Sequence, residues 1–172
     1  MRAQILLLLL ACCLTDCVAA TDTDTDKSYK LYLVRHAEKQ SNVSLDPALT
    51  EAGKHRSVTL AIWLDDQDIQ DIWSSDYKRT RDTAQPTLAR LGLELNIYDP
   101  RDLLSLSETL LSNQNNALIV GHSNTTPELA RLLCDCDIED MDESEYDRLI
   151  VISIGSSGTQ VRTLMQNNLP QP

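Results

Sequence analysis

Short apolar runs alternate along the chain with segments of helical spacing, and this alternation restricts the fold more than any other feature. Runs of strand type cover residues 29–34, 69–74, 93–98 and 117–120, and helical segments cover 49–64, 78–91, 102–111 and 127–133. Thr50 and Gly92 are suited to begin and end the helices beside them. Two further runs, 149–154 and 159–164, flank a Gly-Ser-Ser-Gly turn and predict a closing hairpin. We expect an α/β fold of three layers, with a mostly parallel sheet covered by helices on both faces.

The first twenty residues have the pattern of an export signal. Arg2 precedes a short apolar stretch, 5–13, and Val18-Ala19-Ala20 supplies small residues before a cleavage point. The stretch is well short of the ~20 apolar residues that a membrane-spanning helix needs. We therefore expect a protein that is periplasmic or secreted and has no membrane span. A lipid anchor at Cys12 is the alternative, because Leu9-Leu10-Ala11-Cys12 resembles a bacterial lipobox.

Composition divides the rest of the chain. A polar Thr-Asp repeat in residues 21–27 predicts a flexible linker, residues 28–165 form one predicted domain, and the tail 166–172 is expected to fray. A length of 172 residues with 42% hydrophobic content is enough for one sizeable core. The net charge of −11 argues against a nucleic-acid partner, since nucleic acids are themselves polyanions.

The cysteines do not form a disulfide framework. Three of the five lie in the predicted signal, which leaves Cys134 and Cys136. We expect a bridge between residues two apart to be strained, and we favour two partly buried thiols near a helix end. A labile redox pair and a partner site remain open.

Polar side chains follow three of the apolar runs at the point where each run ends. Arg35 and His36 follow the first run, residues 74–81 follow the second, and Gly121 and His122 follow the fourth. Ligands of such folds collect at the carboxyl ends of parallel strands, so we expect the three segments to share one crevice. Neutral imidazole is a good nucleophile towards phosphorus, and guanidinium groups bind phosphate oxygens. The pattern predicts a phosphohydrolase.

Three linked motifs give this sequence a family resemblance. They are Leu33-Val34-Arg35-His36-Ala37-Glu38, Ser75-x-x-x-Arg79-Thr80-x-x-Thr83-Ala84 and Val120-Gly121-His122-Ser123. In order and spacing they resemble the histidine phosphatase superfamily, also called phosphoglycerate mutase-like, over roughly residues 29–164. Many members have glycine where this chain has Ala37, and the Arg-His-Ala form resembles the small bacterial phosphohistidine phosphatases.

The resemblance implies a role for each matching residue. His36 would accept the phosphoryl group as a phosphohistidine, and Arg35, Arg79 and Asn42 would bind phosphate oxygens. His122 would donate to the same oxygens as charge develops in transfer. The resemblance implies no metal or organic cofactor, and it implies a phosphorylated small molecule or a phosphoprotein as substrate.

The acid that would protonate a leaving oxygen has no clear match to the family pattern. We favour Asp102 for this role by its position after the third predicted strand. Asp99, Glu38 and Glu128 are the alternatives. The acidic segment from Glu139 to Glu145 is interpreted as a solvated loop.

The leading hypothesis is an exported phosphatase that hydrolyses a phosphomonoester or a phosphoramidate through His36. A module of the same fold that binds phosphate without turnover is the alternative from another class. A phosphoglycerate mutase is less favoured, because the chain is short and carries an export signal.

Overall fold

The computed structural model describes residues 28–41 and 45–169, which form six strands and four helices. The strands are β1 (Tyr29–Arg35), β2 (Asp71–Ser75), β3 (Leu95–Tyr98), β4 (Ala117–Gly121), β5 (Arg148–Gly155) and β6 (Gly158–Met165). The helices are α1 (Glu51–Leu64), α2 (Lys78–Leu91), α3 (Leu103–Asn113) and α4 (Thr125–Cys134). The signal peptide and linker of the sequence prediction, with Cys12, lie outside the described residues, and so does Asn42.

The strands form one mixed sheet in the order β3-β2-β4-β1-β5-β6. Strands β3, β2, β4 and β1 run parallel to one another. Strand β5 is antiparallel to β1, and β6 is antiparallel to β5. The predicted mostly parallel sheet with a closing hairpin is therefore confirmed. Because β1, β4 and β2 are adjacent and parallel, their carboxyl ends open at the same edge of the sheet.

Each face of the sheet is covered by a pair of helices. Side chains of β1 alternate between the two core clusters: Leu31 and Leu33 belong to one, and Tyr32 and Val34 belong to the other. The first cluster contains side chains of α3 and α4, and the second contains side chains of α1 and α2. A central strand buried on both faces reads as a continuous apolar run, which is why β1 was recognisable in the sequence. The three-layer prediction is confirmed.

The start of α1 packs tightly against the loop that follows β1. Thr50 caps the helix by accepting from the Gly53 nitrogen at 3.1 Å, and its own nitrogen donates to the Glu38 oxygen at 2.8 Å. A side chain at Gly53 would place its Cβ only 2.3 Å from that Glu38 oxygen. Glycine at this position therefore allows α1 to support the backbone two residues after His36.

Several element limits differ from the sequence prediction. Helix α4 begins at Thr125 instead of Pro127, because the Thr126 nitrogen already donates to the His122 oxygen at 3.0 Å. The expected frayed tail is wrong for residues 166–169. The nitrogen of Gln166 donates to the Asp147 oxygen at 2.6 Å, and Leu169 is buried in the cluster beneath α1 and α2.

The two cysteines of the domain are joined, which corrects the expectation of free thiols. Cys134 ends α4, and a disulfide links it to Cys136. Asp135 adopts a left-handed conformation with φ of 49° and turns the chain back, so the two Cα atoms lie 5.2 Å apart. This separation is within the range that a disulfide requires.

Among residues 28–41 and 45–169, no helix is long and apolar enough to cross a membrane. Over the same residues, no group of three or more His, Cys, Asp and Glu side chains is arranged to hold a metal ion.

Candidate active site

A cleft of about 330 Å³ opens where β1, β4 and β2 end. It brings together the first histidine motif, the second histidine motif and the arginine at the start of α2. Its walls include His36, His122, Arg35, Arg79, Lys39, Tyr77, Arg101, Ser123 and Glu143. Four of the predicted site residues, His36, His122, Arg35 and Arg79, are therefore neighbours in space.

His36 lies at the floor of the cleft, with 2% of its surface exposed. Its backbone nitrogen donates to the Gly121 oxygen at 2.9 Å, which ties the end of β1 to the end of β4. Its Nδ1 lies 2.8 Å from the Ala37 carbonyl oxygen. A carbonyl only accepts, so Nδ1 carries the proton and donates it. The other ring nitrogen, Nε2, then holds a free lone pair, as a nucleophile requires.

His122 faces His36 across the cleft, with the ring centroids 5.6 Å apart. Its Nδ1 lies 3.4 Å from Nη2 of Arg79, a group that only donates, so Nδ1 is the acceptor. Its Nε2 donates to the Ser75 hydroxyl at 2.9 Å, and that hydroxyl donates in turn to the Thr80 hydroxyl at 3.2 Å. The hydrogen bonds thus hold the ring in one orientation and direct Nδ1 towards the arginine.

Both histidines are held neutral near pH 7. Burial is the main cause that lowers the pKa of His36 to about 3, and the positive charges of Arg35 and Arg79 lower it further, against the opposing hydrogen bond to Ala37. The pKa of His122 is lowered to about 4, again by burial first and then by Arg79 and Arg35. A neutral His36 keeps its lone pair available for attack.

The two arginines have buried donors that still lack an acceptor. Arg35 is 2% exposed; its Nη1 donates to the carbonyls of Asp142, Glu143 and Glu145 at 2.8–3.1 Å, and its guanidinium lies 4.1 Å over the Tyr146 ring. The guanidinium of Arg79 lies over Tyr77. Within residues 28–41 and 45–169, Nε of each arginine is buried without a hydrogen-bond partner. Leaving buried donors unpaired is costly, so the site is suited to bind an oxyanion.

The acid candidates from the sequence do not reach this cleft. Asp102 is exposed at the start of α3, where its carboxylate caps the helix by accepting from the Ser105 nitrogen at 3.2 Å. Asp99 pairs with Arg101, Glu38 pairs with Arg56, and Glu128 pairs with Arg131. Asp102 therefore serves as the cap of α3. Its position outside the cleft does not favour it as the proton donor.

Glu143 is the cleft residue that the sequence interpretation missed. It belongs to the acidic segment interpreted as a solvated loop, yet its Oε2 lies 3.0 Å from Nη2 of Arg35 and its Oε1 accepts from the Ser123 hydroxyl. The segment precedes β5, and β5 pairs antiparallel with β1, with Leu149 beside Val34. The start of an antiparallel neighbour lies at the carboxyl end of β1. The antiparallel pairing of β5 with β1 is therefore the information from which the position of Glu143 follows.

Comparison with known proteins agrees with this geometry. The model of the histidine phosphatase superfamily (branch 1) matches residues 31–101, which contain His36 and Arg79. The resemblance to the histidine phosphatase superfamily is confirmed. The chain is also 35% identical over 92 residues to a Photorhabdus laumondii protein named "Probable phosphoglycerate mutase GpmB". That match covers 50% of this chain and 42% of the relative, so it spans less than half of the relative's length.

Solved structures of two phosphatases share the fold. A mycobacterial glucosyl-3-phosphoglycerate phosphatase superposes with a TM-score of 0.63 at 16% identity, over 80% of this chain and 98% of that one. The protein histidine phosphatase SixA, solved with tungstate, superposes with a TM-score of 0.65 at 17% identity, over 81% and 98%. At these identities the superpositions establish the fold.

Proposed function

We propose that this protein is a phosphatase that forms a phosphohistidine on His36. The observation that carries the proposal is the pairing of a neutral, buried imidazole, whose Nε2 is free, with two arginines whose buried Nε donors lack an acceptor. The shared fold and the family match support the same chemistry, since the relatives with this fold include phosphatases. The substrate class is a phosphomonoester or a phosphoramidate, on a small molecule or a phosphoprotein.

The chemistry proceeds in two displacements at phosphorus. His36 Nε2 attacks, the phosphorus–nitrogen bond forms, and the bond to the leaving group breaks. The ring then carries positive charge, which the Ala37 carbonyl stabilises through the Nδ1 proton. Arg35 and Arg79 hold the equatorial oxygens, and His122 lies beside them on the opposite wall. Water attacks the phosphohistidine in the second displacement and releases inorganic phosphate.

A matched pair of histidine variants tests the proposal. His36→Ala should abolish hydrolysis of 4-nitrophenyl phosphate, because the variant lacks the Nε2 lone pair that attacks phosphorus. His55→Ala is the control, since this third histidine is exposed on α1. Wild type incubated with labelled substrate should also yield an alkali-stable, acid-labile phosphoprotein. Full activity in His36→Ala would overturn the assignment. Oxyanion binding without label or turnover would favour the binding module instead.

We also propose export of the protein, which rests on the sequence of residues 1–20 alone. Expression of the full chain in a bacterium followed by intact-mass analysis tests it. Removal of the first twenty residues supports signal cleavage, and a diacylated Cys12 supports the lipoprotein alternative. An uncleaved chain in the cytoplasmic fraction would contradict both.

A further inference from the structure

We propose that Glu143 is the acid and base of the reaction, a role that rests on the proposed function of His36. Among the described residues that line the cleft, Glu143 carries the only carboxylate. The remaining titratable side chains there are cations, a tyrosine and the two histidines. His36 is committed as nucleophile, and His122 is held by Ser75 and Arg79. The nearby Asp46 carboxylate accepts from the Lys78 nitrogen at 2.9 Å, lies 3.5 Å from Nη1 of Arg79 and is not part of the cleft lining. We therefore assign proton exchange with the leaving oxygen to Glu143.

The position of Glu143 fits the direction in which a leaving group departs. An in-line displacement places the leaving group on the side of phosphorus opposite to the nucleophile. His36 lies at the floor of the cleft, so the leaving oxygen points towards the mouth. Glu143 lies at the mouth, where 79% of its side-chain surface is exposed while its partner Arg35 is 1% exposed. The carboxyl group is therefore accessible to an incoming substrate.

The loop that carries Glu143 is fixed to the same arginine that neighbours His36. Arg35 binds the backbone oxygens of Asp142, Glu143 and Glu145 through Nη1, and it binds the Glu143 carboxylate through Nη2. Arg148 holds the other side of the loop through the backbone oxygens of residues 139 and 140. These contacts limit the carboxylate to a small region beside the phosphate site, as a proton-transfer group requires.

Substrate binding changes the pKa of Glu143 in the direction that a proton donor needs. In the free protein, the hydrogen bond from Ser123 is the main cause that lowers the pKa of Glu143; burial opposes it and the charge of Arg35 adds to it. A bound phosphate dianion partly neutralises the positive charge of Arg35, and it places negative charge beside the carboxylate. Both effects raise the pKa of the carboxyl group relative to the free protein, which is the direction that a proton donor requires.

The proton then completes a cycle. Glu143 gives its proton to the leaving oxygen as the phosphorus–oxygen bond breaks and the phosphohistidine forms. The resulting carboxylate takes a proton from water as the water oxygen attacks phosphorus and the bond to His36 Nε2 breaks. Glu143 is protonated again, and His36 regains its lone pair.

The test compares leaving groups of different basicity. An alkoxide is a poor leaving group and needs the proton, whereas 4-nitrophenolate departs readily without it. Glu143→Gln should lower kcat/KM for glycerol phosphate by about 10²–10⁴-fold, and for 4-nitrophenyl phosphate by less than about 10-fold. We also expect wild-type kcat/KM for glycerol phosphate to fall as rising pH deprotonates the acid, and we expect Glu143→Gln to lack this fall.

Two further variants make the outcome decisive. Glu139→Gln removes an exposed carboxylate from the same acidic segment outside the cleft, and it should behave as wild type. Glu143→Asp keeps a carboxylic acid and should keep the weak dependence on leaving group, even at a lower rate. Equal losses for both substrates in Glu143→Gln would overturn the proposal and leave Glu143 as an anchor of Arg35. If His36→Ala stays active, the proposed function itself fails; if His36 is essential but Glu143→Gln is unaffected, this inference alone fails.

Discussion

Ser75 bonds to Nε2 of His122 and helps to hold the ring in the tautomer that Arg79 favours. Its hydroxyl lies 2.9 Å from Nε2 of His122 and is bonded on its other side to Thr80, whose own hydroxyl donates to the Ser75 carbonyl oxygen. A hydroxyl both donates and accepts, so Ser75 is able to bond to His122 Nε2 in either tautomer of the ring. Gly121 makes this geometry possible, because a Cβ there would lie 2.9 Å from the hydroxyls of Thr125 and Thr126.

Loss of the Ser75 hydroxyl should therefore reduce turnover more than binding. For Ser75→Ala we expect kcat to fall roughly 5-fold, since a single hydrogen bond contributes about 1 kcal/mol. The measurement is kcat and KM for 4-nitrophenyl phosphate, with ¹⁵N shifts of the His122 ring to detect a mixed tautomer. Ser74→Ala is the matched control, because that buried hydroxyl donates to a backbone carbonyl. Equal kcat values in the two variants would contradict the role given to Ser75.

At the scale of elements, local sequence signals located the helices and strands with small errors. Helix α2 has the predicted limits, Lys78–Leu91, because Gly92 ends it in a left-handed conformation with φ of 67°. The predicted second strand starts at Ile69, two residues before the observed start at Asp71. The nitrogens of Gln70 and Asp71 both donate to the Asn116 oxygen, a contact between distant segments. Spacing along the chain carries no information about such a partner.

The acidic loop before β5 shows the limit of sequence reasoning more clearly. Four residues of the cleft could be predicted, because each follows an apolar run or starts a helix and each belongs to a family motif. They are Arg35, His36, Arg79 and His122. Glu143 has neither property. Its place in the cleft depends on the antiparallel pairing of β5 with β1 and on the bonds from Arg35 to the loop backbone. Asp102 shows the opposite error. Its position after β3 favours it as the acid, but its carboxylate caps α3 and lies outside the cleft.

For the whole molecule, charge is distributed unevenly between the surface and the cleft. The chain carries a net charge of −11, yet the cleft collects Arg35, Arg79, Lys39 and Arg101. Three of these cations are paired with carboxylates, Arg35 with Glu143, Arg79 with Asp46 and Arg101 with Asp99. The excess of positive charge in the cleft is therefore small and local, whereas the acidic chain as a whole repels extended polyanions.

Burial of the two cleft histidines should make the stability of the whole domain depend on pH. The folded-state pKa values of about 3 for His36 and about 4 for His122 lie below the ordinary value of 6.5. The folded protein binds these protons less readily than the unfolded chain does, so the stabilising contribution is complete above about pH 6.5. It is lost as the pH falls from there towards the folded-state pKa values.

We therefore expect the Tm to decrease between pH 7 and pH 4, and we expect His36→Ala to show a smaller decrease than wild type. Differential scanning calorimetry across this range measures the effect. Carboxylates remote from the cleft contribute equally to both proteins, so the difference reports His36 together with the cleft groups that it interacts with, His122 and Glu143. His55→Ala should retain the full wild-type decrease, because that side chain is exposed. Parallel curves for wild type and His36→Ala would show that burial does not lower the pKa of His36.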